Sequence, residues 1–120
     1  MEVVTICRES KGEKEIRKYL NLNNIKFIPQ YKFSDCKDIR ILPFDFYLPD
    51  LNVCIEYDGI QHFKEIQKWG GLNSLKDIEK KDQIKTDYCK NKKILLIRIK
   101  YSEDVFIKIT NSLNNFKYEC

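Results

Sequence analysis

The chain reads as an α/β domain in which a central mixed β-sheet is flanked by helices, in the order α-β-β-β-α-β-α. Three observations predict this class. Phe44 to Phe63, F-D-F-Y-L-P-D-L-N-V-C-I-E-Y-D-G-I-Q-H-F, sets two runs of strand-forming residues around the turn formers Pro49-Asp50-Leu51-Asn52. Ile94-Leu95-Leu96-Ile97 is the longest apolar run and reads as a buried strand. Between these segments, Leu72 to about Asn91 has the length and charge of a long helix.

Taken in order, Met1 to Arg8 reads as a short strand or an ordered lead-in. A helix follows from Ser10, which stands as N-cap three residues before Glu13, the spacing of a capping box. Ile16, Tyr19 and Leu20 supply its apolar stripe, and Asn21 to Asn24 end it. Ile25 to Phe33 reads as the first strand and Ser34 to Ile39 as a polar loop. The hairpin runs from about Leu42 to Tyr57, and Gly59 permits the turn out of its second strand. Phe63 to Gly71 reads as a loop whose Trp69-Gly70-Gly71 leads into the long helix. Leu75, Ile78, Ile84, Tyr88 and Cys89 line one side of that helix. Ile94 to Lys100 is the last strand. Glu103 to Phe116 is a last helix with Val105, Phe106, Ile109 and Leu113 facing in.

At 120 residues the chain suits one domain over 1–120, with its core over about 10–116. No repeat or low-complexity tract is present. No run approaches the roughly 20 apolar residues of a membrane span, and no signal-peptide pattern opens the chain. The five cysteines, Cys7, Cys36, Cys54, Cys89 and Cys120, are odd in number and scattered, without a C-x-x-C pair. They read as reduced thiols of an intracellular protein, in cytoplasm or nucleoid. The formal charge of +4 is modest. Several acids gather in the hairpin, however, so the remaining surface is more basic, as a phosphate-binding face around an acidic centre would be.

That acidic centre carries the chemistry. Side chains alternate along a strand, so Glu56 and Asp58 project to one face and Ile55 and Tyr57 to the other. With Asp45 on the neighbouring strand, three carboxylates converge among apolar residues. Such a cluster is costly unless a cation or a proton offsets the repulsion. A hard divalent ion with oxygen ligands, magnesium or manganese, is the economical solution, with Asp45 and Glu56 as ligands. Asp58 can ligate the same or a second metal, orient a water, or be the acid of an ordinary Asp-Gly turn. His62, the only histidine, is close enough in sequence to activate water beside a phosphate, although a lone histidine is more often structural. Gln61 is a candidate for holding a water or a phosphate oxygen. On the long helix Lys81 and Lys85 share a face, and either can supply positive charge to nucleic acid, or both can be solvated ion-pair partners.

The pattern D…E-x-D-G-x-Q-H, followed by G-G and K-x-D-x-x-K-x-x-Y-C, resembles the endonucleases related to the very-short-patch-repair enzyme. Within that group it is most similar to the phage and large-virus branch described by the letters EDxHD, which includes homing endonucleases. The wider superfamily is PD-(D/E)xK, with a restriction-endonuclease-like core. The resemblance covers about Lys11 to Phe116. It implies a divalent-metal-dependent DNA endonuclease that leaves a 5′-phosphate, with catalytic positions at Glu13, Asp45, Glu56, Asp58, His62 and Asp82. Glu15 competes with Glu13 for the acid of the first helix, and Asp82 would hold the His62 imidazole. The chain departs from the pattern at Asp58, where the superfamily has its lysine. It departs again at Pro43-Phe44-Asp45, where Pro-Asp is usual. So short a chain leaves sequence recognition to loops, a homodimer or a further partner. The alternatives are a binding module that keeps the fold without cleaving, and a nuclease for RNA or branched DNA.

Overall fold

The chain is described by a computed structural model over residues 9–59 and 72–118. Its elements are α1 (Lys11–Leu22), β1 (Ile28–Lys37), β2 (Ile41–Leu48), β3 (Val53–Asp58), α2 (Leu72–Lys92), β4 (Leu95–Lys100) and α3 (Val105–Tyr118). The four strands form one sheet in the order β1-β2-β3-β4, antiparallel between the first three and parallel between β3 and β4. The expected mixed sheet with flanking helices, in the order α-β-β-β-α-β-α, is therefore what the chain forms. The expectation for Met1 to Arg8 and for Phe63 to Gly71 lies outside the described residues.

Local chemistry explains where the elements start and stop. The capping box at the head of α1 is complete: the Ser10 hydroxyl accepts from the Glu13 amide, and Glu13 Oε1 accepts from the Ser10 amide at 2.9 Å. At its foot Asn24 takes a left-handed φ of 55°, and the Ile25 amide reaches back to the Leu20 carbonyl at 2.8 Å. That bond claims Ile25 for the helix end, so β1 begins at Ile28 rather than Ile25. The strand also runs on to Lys37, through residues expected to be loop. It is an edge strand whose side chains are mostly exposed, so a polar sequence is no obstacle to pairing. A register shift between Lys32 and Lys37 absorbs the irregularity. The expected turn at Pro49–Asn52 forms, closed by the Asn52 amide on the Leu48 carbonyl at 2.8 Å, with Asn52 at φ 58°.

Two apolar layers hold the sheet. On one face Phe46, Leu48, Val53, Ile55, Ile97 and Ile99 pack under α1 and α3. On the other, Cys36, Leu42, Phe44 and Cys54 pack with Ile84, Tyr88 and Cys89 of α2. Cys36, Cys54 and Cys89 are buried free thiols, as the reduced reading requires. Gly12 brings the head of α1 onto Tyr57; a Cβ there would come within 2.0 Å of the Tyr57 ring. Among the described residues no helix is long and apolar enough to cross a membrane.

Candidate active site

Strict alternation fails in β2 at Asp45. Phe44 and Tyr47 pack on the α2 face, whereas Phe46 packs on the opposite one. Across the β1–β2 pairing, in line with Asp45, Gln30 takes a left-handed φ of 51°. Such local irregularities re-aim side chains. The β2–β3 ladder also ends here, its last pair on this side being Phe46 with Ile55. Beyond it the two acids bond to each other's strand through their side chains. The Asp45 amide donates to Glu56 Oε2 at 2.9 Å, and the Tyr57 amide donates to Asp45 Oδ2 at 2.8 Å. The strands thus fork at Asp45 and Glu56, with both carboxylates held in the fork.

Lys85 enters from α2. Its Nζ lies 2.9 Å from Glu56 Oε1 and 5.2 Å from the centroid of the Phe44 ring. Both side chains of this pair are nearly buried, 13% and 9% exposed. Glu56 is the one buried charged residue among those described. Burial, and then the neighbouring Glu56 charge, push the Asp45 carboxyl up to about 8. Hydrogen bonding from the Tyr57 backbone works against that rise, and the charge of Glu13 adds to it. Lys85 is committed to Glu56, so an ionised Asp45 would carry a charge that the fork's one cation does not offset, and the carboxyl keeps its proton instead.

The other expected site residues divide sharply. Glu13 closes the capping box, and its charge is a lesser contributor to the raised Asp45 carboxyl. Asp58 shares the Glu56 face, as alternation predicts. Its side chain lines a hollow of about 400 Å³ with Glu79, Asp82, Gln83, Thr86 and Arg98. The Asp82 carboxylate stands 3.6 Å from Arg98, and the same guanidinium donates to the Asp82 carbonyl and the Thr86 hydroxyl. Arg98 therefore braces α2 against β4 rather than offering itself to a phosphate. Lys81 pairs with Asp77 at 3.1 Å on an exposed helix face, the ordinary ion pair. Gln61 and His62 lie outside the described residues, and with them the expected Asp82–His62 bond. Among the described residues no three His, Cys, Asp or Glu side chains are grouped to cage a metal by themselves.

What remains is a two-carboxylate, one-lysine fork. It suits an ion that takes one or two protein carboxylates and completes its shell with water and substrate oxygens, as magnesium does. Such an ion would displace the Asp45 proton and offset the charge the carboxylate then carries. Sequence left Lys81 and Lys85 equivalent. The available signal was the spacing of Lys85 and Cys89, four apart, which puts a lysine on the inward side of α2. Phe44, Gln30 and Gly12 gave no such signal. No family model, curated protein or solved structure matches the chain.

Proposed function

We propose that the chain is a divalent-metal-dependent endonuclease with a restriction-endonuclease-like core, hydrolysing phosphodiester bonds in DNA. The observation that carries this reading is the fork itself: Asp45 and Glu56 where the β2–β3 ladder opens, with Lys85 at 2.9 Å from Glu56. Asp45 and Glu56 would hold the ion, magnesium or manganese. When bound, the ion supplies charge stabilisation to the phosphoryl oxygens as the bond breaks.

The chain's own residues do the rest. Glu56, fixed by the Asp45 amide and by Lys85, presents its carboxylate in one orientation. Lys85 supplies the cation that Asp58 cannot, since Asp58 stands at the strand position where the resembled superfamily has lysine. Its ammonium, backed by the Phe44 ring, can donate to a phosphate oxygen or orient an attacking water. His62 is proposed as the base that takes the proton from that water. Asp58 and Asp82 are proposed to act at the rim of the fork, in the hollow they share.

The test is turnover of duplex, single-stranded, branched and RNA substrates with magnesium, manganese or chelator. Metal-dependent endonucleolysis of DNA is expected, abolished in Asp45→Asn/Glu56→Gln. His62→Ala should lose roughly 10²–10⁴-fold in rate while keeping DNA affinity. Binding without turnover on every substrate would leave a non-catalytic module. Full magnesium-dependent activity in the double variant would refute the site.

A further inference from the structure

The β1–β2 hairpin ends in an apolar side chain set between unpaired cations. Lys37 and Ile41 are the last pair of its ladder, and the Asp38 amide closes the tip on the Arg40 carbonyl at 3.1 Å. Ile39 forms the apex and is 91% exposed, more than any other large apolar residue described. An isolated exposed isoleucine is unremarkable on a surface. Its charged neighbours are not arranged at random, however.

The two acids near the tip of this hairpin, Asp35 and Asp38, turn back onto α2. Asp38 pairs with Lys80 at 3.2 Å, and Asp35 accepts from the Tyr88 hydroxyl at 2.7 Å and pairs with Lys92 at 3.3 Å. The bases stay outward: among the described residues no carboxylate pairs with Lys37 or Arg40. Beneath the tip, a hollow of about 370 Å³ is lined by Asp38, Ile39, Arg40, Leu42, Asp77 and Lys81, and both of its acids are already paired, Asp38 with Lys80 and Asp77 with Lys81. The tip therefore presents net positive charge around an apolar apex, on a hairpin tied down to α2.

Position adds a second argument. β2 runs from the tip into the fork, and β3, antiparallel to it, ends at Asp58 on the same end of the sheet. Ile39 precedes Asp45 by six positions. At about 3.3 Å per residue, the apex stands at most ~20 Å from the fork. One polyanion lying across that end of the sheet can touch both.

We infer that this hairpin is a groove-reading wedge for duplex DNA: Lys37 and Arg40 contact phosphates while Ile39 inserts against a base step. The inference rests on the nuclease reading, because the choice of DNA over another polyanion comes from the fork. Duplex binding is measured by anisotropy on a mixed-sequence oligonucleotide, with calcium replacing magnesium, across a salt series. A 2-aminopurine label reports unstacking, and magnesium-dependent cleavage of the same duplex is followed in parallel.

Lys37→Gln/Arg40→Gln should reduce the log–log salt slope by about 2, at ~0.9 per phosphate contact. Ile39→Ala should leave the slope unchanged, weaken binding about tenfold, and abolish the 2-aminopurine fluorescence rise. All three side chains are exposed, so the melting temperature should hold. If the wild type cleaves duplex DNA but either variant behaves like it in binding, the wedge is refuted and the nuclease reading stands. If the wild type neither binds nor cleaves any duplex, the nuclease reading fails and the wedge with it.

Discussion

Replacing Asp45 by Asn isolates the charge problem at the fork. Asp45 holds its proton up to about 8, against an ordinary value of 3.8, because it is partly desolvated and stands beside the Glu56 charge. Between those limits the folded chain retains a proton that the unfolded chain has released. Stability must then fall as pH rises through that window, by up to about 1.4 kcal/mol per pH unit, and level off above it. From pH 5 to pH 8 the ceiling is about 4 kcal/mol, a large share of a small domain's total stability. The proton belongs to the Asp45–Glu56 pair, so the slope reports on both together.

Asn keeps an oxygen for the Tyr57 amide and carries no charge at any pH. Its variant should lose most of this slope and, at pH 8, exceed the wild type in stability. The assay is denaturant unfolding of both proteins in chelator at pH 5 and pH 8. Taking the difference between them removes every other titrating group, His62 included. Added magnesium should restore the wild type at pH 8, by mass action on the folded state, and leave Asp45→Asn unmoved. Equal pH slopes in the two proteins would refute the placement of Asp45's raised proton affinity in the fork beside Glu56.

Two further outcomes follow from the same geometry. Lys85→Met leaves Glu56 buried without its cation and should cost about 3–5 kcal/mol; Lys85→Met/Glu56→Gln should regain much of that stability in unfolding assays without regaining cleavage, and equal instability of both would show that the pair does not act as one. Gly12→Ala drives a Cβ to 2.0 Å from the Tyr57 ring and should destabilise by about 1–3 kcal/mol. In a double-mutant cycle with Tyr57→Val that cost should largely vanish; strict additivity would place the strain elsewhere.

Sequence by itself determined the elements, because their signals are local. A capping box, an Asn in the turn and a short apolar run act within a few positions of the chain, and they put α1, the β2–β3 hairpin and β4 where expected. Period-two alternation likewise placed Glu56 and Asp58 on one face, opposite Ile55 and Tyr57. Where the reading slipped, the deciding contact was with another part of the fold. Ser34–Lys37 looks like loop until β2 offers it a partner, and an edge strand tolerates that polarity.

The site needed tertiary structure for the same reason. Only its spacing to Cys89 hints locally at Lys85 over Lys81; the seating of α2 across the sheet decides that one meets Glu56 and the other faces Asp77. Asp82 and Arg98 are far apart in the chain, and their pairing depends on the seating of α2 on β4. The fork at Asp45 depends on Gln30, a residue of another strand, taking a left-handed φ in line with it. Residue type and spacing set which groups are available for chemistry, whereas their charges meet only through packing. Electrostatic coupling follows distance in space, and sequence records distance along the chain.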